Sequence, residues 1–196
     1  MRRLVLASGS QQRLALLQQV GLNPEVIPPH VDESLPDVTD AVEYVETLAR
    51  RKAGFVAFEL EDAIVLGADT MILLDDSILG KPAHSQDALA TLLALNGRQH
   101  EVLTGIAVMD CVTGMLQVGH ERTVVRFRNH SKETLQSYVG SGDGMGKAGA
   151  YAIQGRGAAL VERIDGCYSN IIGLPLALVL EMLAKVGVSP FEVIHT

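Results

Sequence analysis

Ser8, Gly9, Ser10 and Arg13 sit where an apolar run, Leu4–Ala7, gives way to an amphipathic stretch, Gln11–Val20. Small residues at such a junction expose the unpaired N–H groups of a helix start, and the helix dipole favours an anion among them. Gly9 permits close approach of a ligand, and the two serine hydroxyls add donors. Ser10 has the character of an N-cap, and Arg13 stands where a capping box wants Glu or Gln. A cation in the first helical turn is unfavourable by about 0.3–1 kcal/mol. A bound phosphate reverses that sign, because guanidinium suits forked contacts with phosphate. The alternative is a surface arginine behind an ordinary serine cap.

Four further stretches carry groups of the right type. In LGADT, Asp69 follows an apolar run, where a strand can deliver a carboxylate to hold a divalent cation or activate water; the alternative is an Asp that satisfies its own turn. In HVDES, an extended chain puts His30 and Asp32 on one face and Val31 and Glu33 on the other. One carboxylate can then face a site, and His30 with Asp32 makes a two-ligand metal pair or a solvated loop. Lys81 lies between Gly80 and Pro82 and reaches phosphate as a point charge, or is simply solvated. The stretch GKAGAYAIQGRGA holds Lys147, Gln154 and Arg156 among glycines, which suits close approach to a flat ligand. The Gln154 amide offers both donor and acceptor to a base edge; the alternative is an exposed loop.

Alternating strands and helices must position these groups. Leu4–Ala7 reads as a strand, and Gln11–Val20 as a helix stopped at Gly21, with Leu14, Leu16, Leu17 and Val20 as its apolar face. Asp40 caps a helix to about Leu60, with Val42, Val45, Leu48 and Ala49 inward. AIVLGADTMILLDD reads as strand, a tight turn or kink at Gly67, then strand. Ser85 caps a helix through Leu95. Two long strands meet near Thr113-Gly114, and Ser131 caps a helix to about Val139. The GSGDGMGKAG segment reads as a loop, AALVERID as a strand, and Pro175–Val186 as a final helix. The hairpin-like middle breaks a pure βαβ rhythm, so the fold expected is α/β: a mixed sheet with helices outside it.

The chain has 196 residues and a net charge of −7. That charge argues against a nucleic-acid backbone as partner but leaves a nucleotide possible, since only the pocket must be basic. No run approaches a membrane span. The basic start, Met1-Arg2-Arg3, is followed by too short an apolar run for a signal peptide, so a cytoplasmic, unprocessed chain is expected. Cys111 and Cys167 form no metal or redox motif and read as buried filler. No Walker-A sequence occurs, and the alternating glycines at 140–146 lack the helix that a dinucleotide fingerprint needs.

Taken in order, LASGSQQRLALL, VDES, LARRKA, LGADT, LGKP, KAGAYAIQGRGA and IDGCYSNIIGLPL resemble the Maf family, also called septum-formation-inhibitor-like proteins. The resemblance spans nearly the whole chain as one Maf-like domain, residues 1–196. It implies an elongated mixed β-sheet flanked by helices, in two lobes with a central cleft, related to inosine triphosphate pyrophosphatases. It also implies cleavage of a nucleoside triphosphate to the monophosphate and pyrophosphate with a divalent cation (Mg, Mn or Co). On that resemblance Ser8, Ser10 and Arg13 bind phosphate, Glu33 and Asp69 serve metal or water, and Lys81 neutralises the phosphate chain. AYAIQG is similar to the dTTP/UTP branch, in which Lys52 and Gln154 match positions that read the pyrimidine; Thr70 joins the substrate-binding set. Gln12 stands where the family usually has Arg, and Gly146 where Asp usually precedes Lys147. The partner expected is the triphosphate, with a homodimer as the expected form of any self-assembly. Two rivals share the phosphate cradle: a non-catalytic nucleotide-binding regulator of cell division and a nucleotidyltransferase.

Overall fold

A computed structural model of the chain describes residues 2–35, 38–75 and 77–189. Strand β1 (Arg3–Ala7) runs into helix α1 (Gln11–Gln19), followed by a two-residue strand, β2 (Glu25–Val26). Helix α2 (Ala41–Ala57) precedes strand β3 (Ala63–Leu74), the short β4 (Ser77–Leu79) and helix α3 (Ser85–Leu95). Two long strands follow, β5 (Gln99–Asp110) and β6 (Leu116–Phe127), then helix α4 (Lys132–Gly140). Short 3-10 turns at Ala148–Ala150 and Arg156–Leu160 lead to β7 (Val161–Asp165) and to helices α5 (Tyr168–Ile172) and α6 (Leu176–Ala184).

The strands form a mixed 7-stranded sheet in the order β2-β1-β3-β5-β6-β7, with β4 paired to β3. β1 runs parallel to both β2 and β3, with Leu6 opposite Val26 on one side and Leu66 on the other. β4 is antiparallel to β3, and β7 antiparallel to β6. This is the α/β architecture expected. No helix among the described residues is long and apolar enough to cross a membrane.

The chain divides into two compact units. The first comprises residues 1–70, 104–121 and 173–196; the second comprises 71–103 and 122–172. β3, β5 and β6 contribute residues to both. In the first unit, Val5 and Ala7 of β1, Ala63 and Val65 of β3, Ala107 of β5 and Ala49, Ala53 and Val56 of α2 share one core. Small residues on α2 let it lie close to the sheet. A Cβ on Gly67 would stand 2.4 Å from the Ala49 carbonyl oxygen, and one on Gly105 would stand 2.3 Å from that of Val45. In the second unit, Leu92 and Leu95 of α3, Leu135 and Tyr138 of α4, Phe127, Tyr151 and Leu160 pack together.

Several local expectations need correction. β3 runs unbroken for 12 residues, so Gly67 marks no kink; it is a contact point where only a missing side chain admits the helix. His84, not Ser85, caps α3: its Nδ1 accepts from the Asp87 N–H at 3.3 Å, and Ser85 is the first helical residue. α2 ends at Ala57 rather than near Leu60. Leu14 and Val20 are half-buried, leaving Leu16 and Leu17 as the buried residues of α1. Cys111 and Cys167 are free thiols, half-buried rather than core filler.

Candidate active site

Helix α1 begins as its sequence suggests. The Ser10 hydroxyl accepts from the Arg13 N–H at 3.4 Å, and Ser8 Oγ accepts from the Ser10 N–H at 3.2 Å. Both serine oxygens therefore take up N–H groups at the start, or mouth, of the helix. Ser8 is buried at the end of β1, while Gly9 is exposed beside it.

Arg13 folds back across this mouth. Its Nε donates to the Gly173 carbonyl at 2.9 Å, Nη1 donates to Ala68 O at 2.9 Å and Ser8 Oγ at 3.1 Å, and Nη2 donates to Thr70 Oγ1 at 3.1 Å. Four N–H groups are thus committed to the protein, and one on Nη2 remains without a protein acceptor among the described residues. Burial lowers the Arg13 pKa, while the Asp69 and Glu33 carboxylates oppose that shift. Arginine remains protonated regardless. The guanidinium ties α1 to β3 and to the Gly173 turn, and offers a ligand one N–H rather than a fork.

The alternation of β3 splits its functional residues between two faces. Gly67 and Asp69 face α2, where Lys52 emerges one turn beyond Ala49. The Lys52 ammonium lies 2.6 Å from Asp69 Oδ1 and 2.6 Å from Glu33 Oε1. Only 10% of the lysine side chain and 13% of the Asp69 side chain are exposed, so this charge pair is shielded from water. Glu33 is 62% exposed and closes the pair from the solvent side. Its segment is held by Tyr44 Oη, which donates to Glu33 O at 2.8 Å. Of the two HVDES carboxylates, Glu33 is the one that turns inward. Asp32 accepts from the Ser34 N–H at 2.9 Å and the Ser34 hydroxyl at 2.8 Å, which lowers its pKa, and His30 is exposed. Both Asp32 oxygens accept from the Ser34 hydroxyl, so a local turn is the use the structure shows for that carboxylate.

Thr70 points to the other face. Its Oγ1 meets Thr104 Oγ1 on β5 at 2.9 Å, besides the contact from Arg13. Ser8, Ser10, Arg13, Glu33, Lys52, Asp69 and Thr70 all belong to the first unit.

Lys81 and Gln154 belong to the second unit. Lys81 is exposed. Its neighbour Gly80 accepts from the Gly149 N–H at 3.3 Å, which ties the LGKP turn to the segment carrying Gln154. That segment is pinned on both sides of Gln154. The Ala152 N–H donates to Tyr138 Oη at 3.0 Å, and the Arg156 N–H donates to Asp143 Oδ2 at 3.2 Å. Tyr151 is buried, its hydroxyl 2.9 Å from His100 Nε2. Burial raises the tyrosine pKa and pushes His100 down to about 4. Gly149 and Ala150 turn the chain with φ of 68° and 59°, the second an uncommon value for alanine. The result is an exposed glutamine on a braced loop.

The residue types and spacing of the sequence indicate most of these groups. Thr104, the Gly173 carbonyl, Tyr138 and Asp143 escape it. They act through backbone groups or through one another, and each looks ordinary in its own stretch of chain.

Among the described residues, no group of three or more His, Cys, Asp or Glu side chains could hold a metal ion alone. Asp69 and Glu33 nevertheless aim carboxylate oxygens at one point, as their shared lysine shows. Such a pair suits a hard divalent cation, which binds through one or two carboxylates and takes its other ligands from substrate phosphates and water.

The α1 start with its two serines thus lies in the same unit as a lysine-bridged carboxylate pair, Asp69 from β3 and Glu33 from the loop before α2. Residues 3–186 match the family model described as Maf-like protein, and the chain belongs to that family. It is 48% identical to the dTTP/UTP pyrophosphatase of Pelotomaculum thermopropionicum over 95% of this chain and 98% of the relative. It is 43% identical to the protein of that name in Ruminiclostridium cellulolyticum, over 95% of this chain and 97% of the relative. For the one in Symbiobacterium thermophilum the identity is 48%, over 95% of each chain.

Proposed function

We propose that this protein hydrolyses dTTP and UTP to the monophosphate and pyrophosphate. The observation that carries the reading is Lys52 seated between Asp69 and Glu33. Relatives named dTTP/UTP pyrophosphatase, similar over almost their whole length, support the choice of substrate.

The roles we assign are these. The α1 mouth, with the Ser8 and Ser10 hydroxyls, receives phosphate oxygens, and Arg13 orders that mouth while adding one N–H of its own. Asp69 accepts the proton of the attacking water. Lys52 balances the two carboxylates so that an anionic substrate can approach them. Lys81 neutralises phosphate charge, and Gln154 addresses the base edge with its amide. Asp69 and Glu33 are the residues that would hold Mg²⁺, Mn²⁺ or Co²⁺, which supplies Lewis-acid stabilisation of phosphate charge when bound. The whole chain acts as one Maf-like domain, in the cytoplasm where nucleotide pools are found, with a homodimer as the form of any self-assembly.

The test is a panel of canonical and modified triphosphates with each metal in turn, separating pyrophosphate from orthophosphate. Pyrophosphate and monophosphate should appear with dTTP and UTP. Tight binding without turnover would favour a regulator, and a nucleotide adduct would favour a transferase. Asp69→Asn should keep the fold by circular dichroism and lose on the order of 10²–10³-fold in turnover, the scale of a lost transition-state contact. Parental turnover in that variant would refute the role of Asp69.

A further inference from the structure

Thr104 is fully buried on β5, and among the described residues its hydroxyl has a single partner, Thr70 Oγ1 at 2.9 Å. The distance does not say which hydroxyl donates, but the surroundings do. A threonine hydroxyl has one proton and two lone pairs. Were Thr70 the donor, the Thr104 proton would be sealed in the protein with no acceptor among the described residues. An orphaned buried donor is the costlier arrangement. Thr104 therefore donates. Thr70 Oγ1 then accepts twice, from Thr104 and from Arg13 Nη2 at 3.1 Å. With both lone pairs filled, only its proton is left to offer. Within the protein that proton has the Gly173 carbonyl at 3.4 Å, an oxygen that already takes Arg13 Nε at 2.9 Å. Thr70 is half-buried, so a ligand can reach it. Ser8 Oγ is in the same condition, accepting from Ser10 N at 3.2 Å and Arg13 Nη1 at 3.1 Å.

We propose that Thr104 is a positioning residue that makes the Thr70 hydroxyl a donor toward the nucleotide, so that Thr70 meets an oxygen acceptor and not an amino group. The inference deepens the function proposed above and rests on it. A thymine or uracil carbonyl and a phosphate oxygen are both such acceptors. The amino group of cytosine is not.

Thr104→Val keeps the shape and removes the hydroxyl, which frees a lone pair on Thr70 and lets that oxygen accept as well as donate. KM and kcat for pyrophosphate release from dTTP, UTP and dCTP are compared in the parent, Thr104→Val and Thr104→Ser. In the valine variant Thr70 can accept from the cytosine amino group as well as donate to a carbonyl, so KM for dCTP should fall by about 3–10-fold, the worth of one hydrogen bond, while KM for dTTP and UTP stays near parental. Serine should restore the parental value. A fall confined to dCTP assigns the acceptor to the base; an equal rise for all three assigns it to a phosphate, which can then meet a lone pair in place of the proton. In a Thr70→Val background, Thr104→Val should add nothing. If valine prevents folding, Thr104→Ala carries the same expectation. Parental KM for every triphosphate in a folded Thr104→Val or Thr104→Ala protein overturns the proposal, as does a serine variant no better than valine. If the parent releases no pyrophosphate from any triphosphate, the activity itself falls. The affinities of parent and variant for non-hydrolysable dTTP and dCTP analogues then still read the Thr70 contact, and equal affinities for both analogues overturn it.

Discussion

His100 is a basic side chain closed inside an aromatic cluster. Its ring lies edge-on to Phe127 and Tyr151, with centroids 5.0 and 5.4 Å away. Burial holds its pKa at about 4, against 6.5 for a free histidine. The unfolded chain therefore binds a proton between those values that the folded chain refuses. Stability from this site is complete above about pH 6.5 and is lost as pH falls toward 4, a decline of about 3 kcal/mol over the window. Urea unfolding at pH 7, 5.5 and 4.5 should show that slope, and His100→Gln should flatten it. The Asp110 carboxylate, held well below its usual range by hydrogen bonds from Arg2, loses its own contribution from about pH 5 downward and so overlaps only the acid end of that window. Nothing local in the stretch RQHEV marks His100 as buried; Phe127 and Tyr151 arrive from distant parts of the chain. Asp69 and Lys81 differ in this respect, because their flanking residues set them apart in the sequence itself.

At the scale of elements, the most exact fit is between α2 and the sheet. The helix places Lys52 beside Asp69 only because Gly67 lets it approach. Gly67→Ala should cost about 1–3 kcal/mol as the helix is pushed outward. It should lower turnover as well, since Lys52 and Asp69 part. Gly54 on the same helix meets nothing within 4 Å of an added Cβ. Gly54→Ala should instead gain about 0.5–1 kcal/mol from helix propensity alone. Chemical denaturation midpoints of the two variants should move in opposite directions. Helix spans and the caps at Ser10, Asp40 and Ser131 were legible because a cap is a contact within four residues. Gly67 was not: the same residue type serves a kink or a close approach, and the approaching helix is what decides.

At the scale of the molecule, neither compact unit is a continuous stretch of chain. The first is completed by residues 173 onward, which bring Val179, Met182 and Leu183 into its core and the Gly173 carbonyl to Arg13. A chain ending at residue 172 should therefore lose cooperative thermal unfolding and the α1 mouth together. Circular dichroism melts and triphosphate binding would register both losses, and a sharp parental melt would contradict them.

The sequence by itself determined the α/β class, the main helices and strands, the serine-capped start of α1 and, through its ordered motifs, the family. Those properties rest on periodicity, caps and residue types that neighbours along the chain make visible. Tertiary structure alone decided that Arg13 commits most of its donors to the protein, that Glu33 rather than Asp32 reaches Lys52, and that Thr104 stands behind Thr70. Each depends on which oxygen lies within about 3 Å of which proton, and sequence distance carries no trace of that.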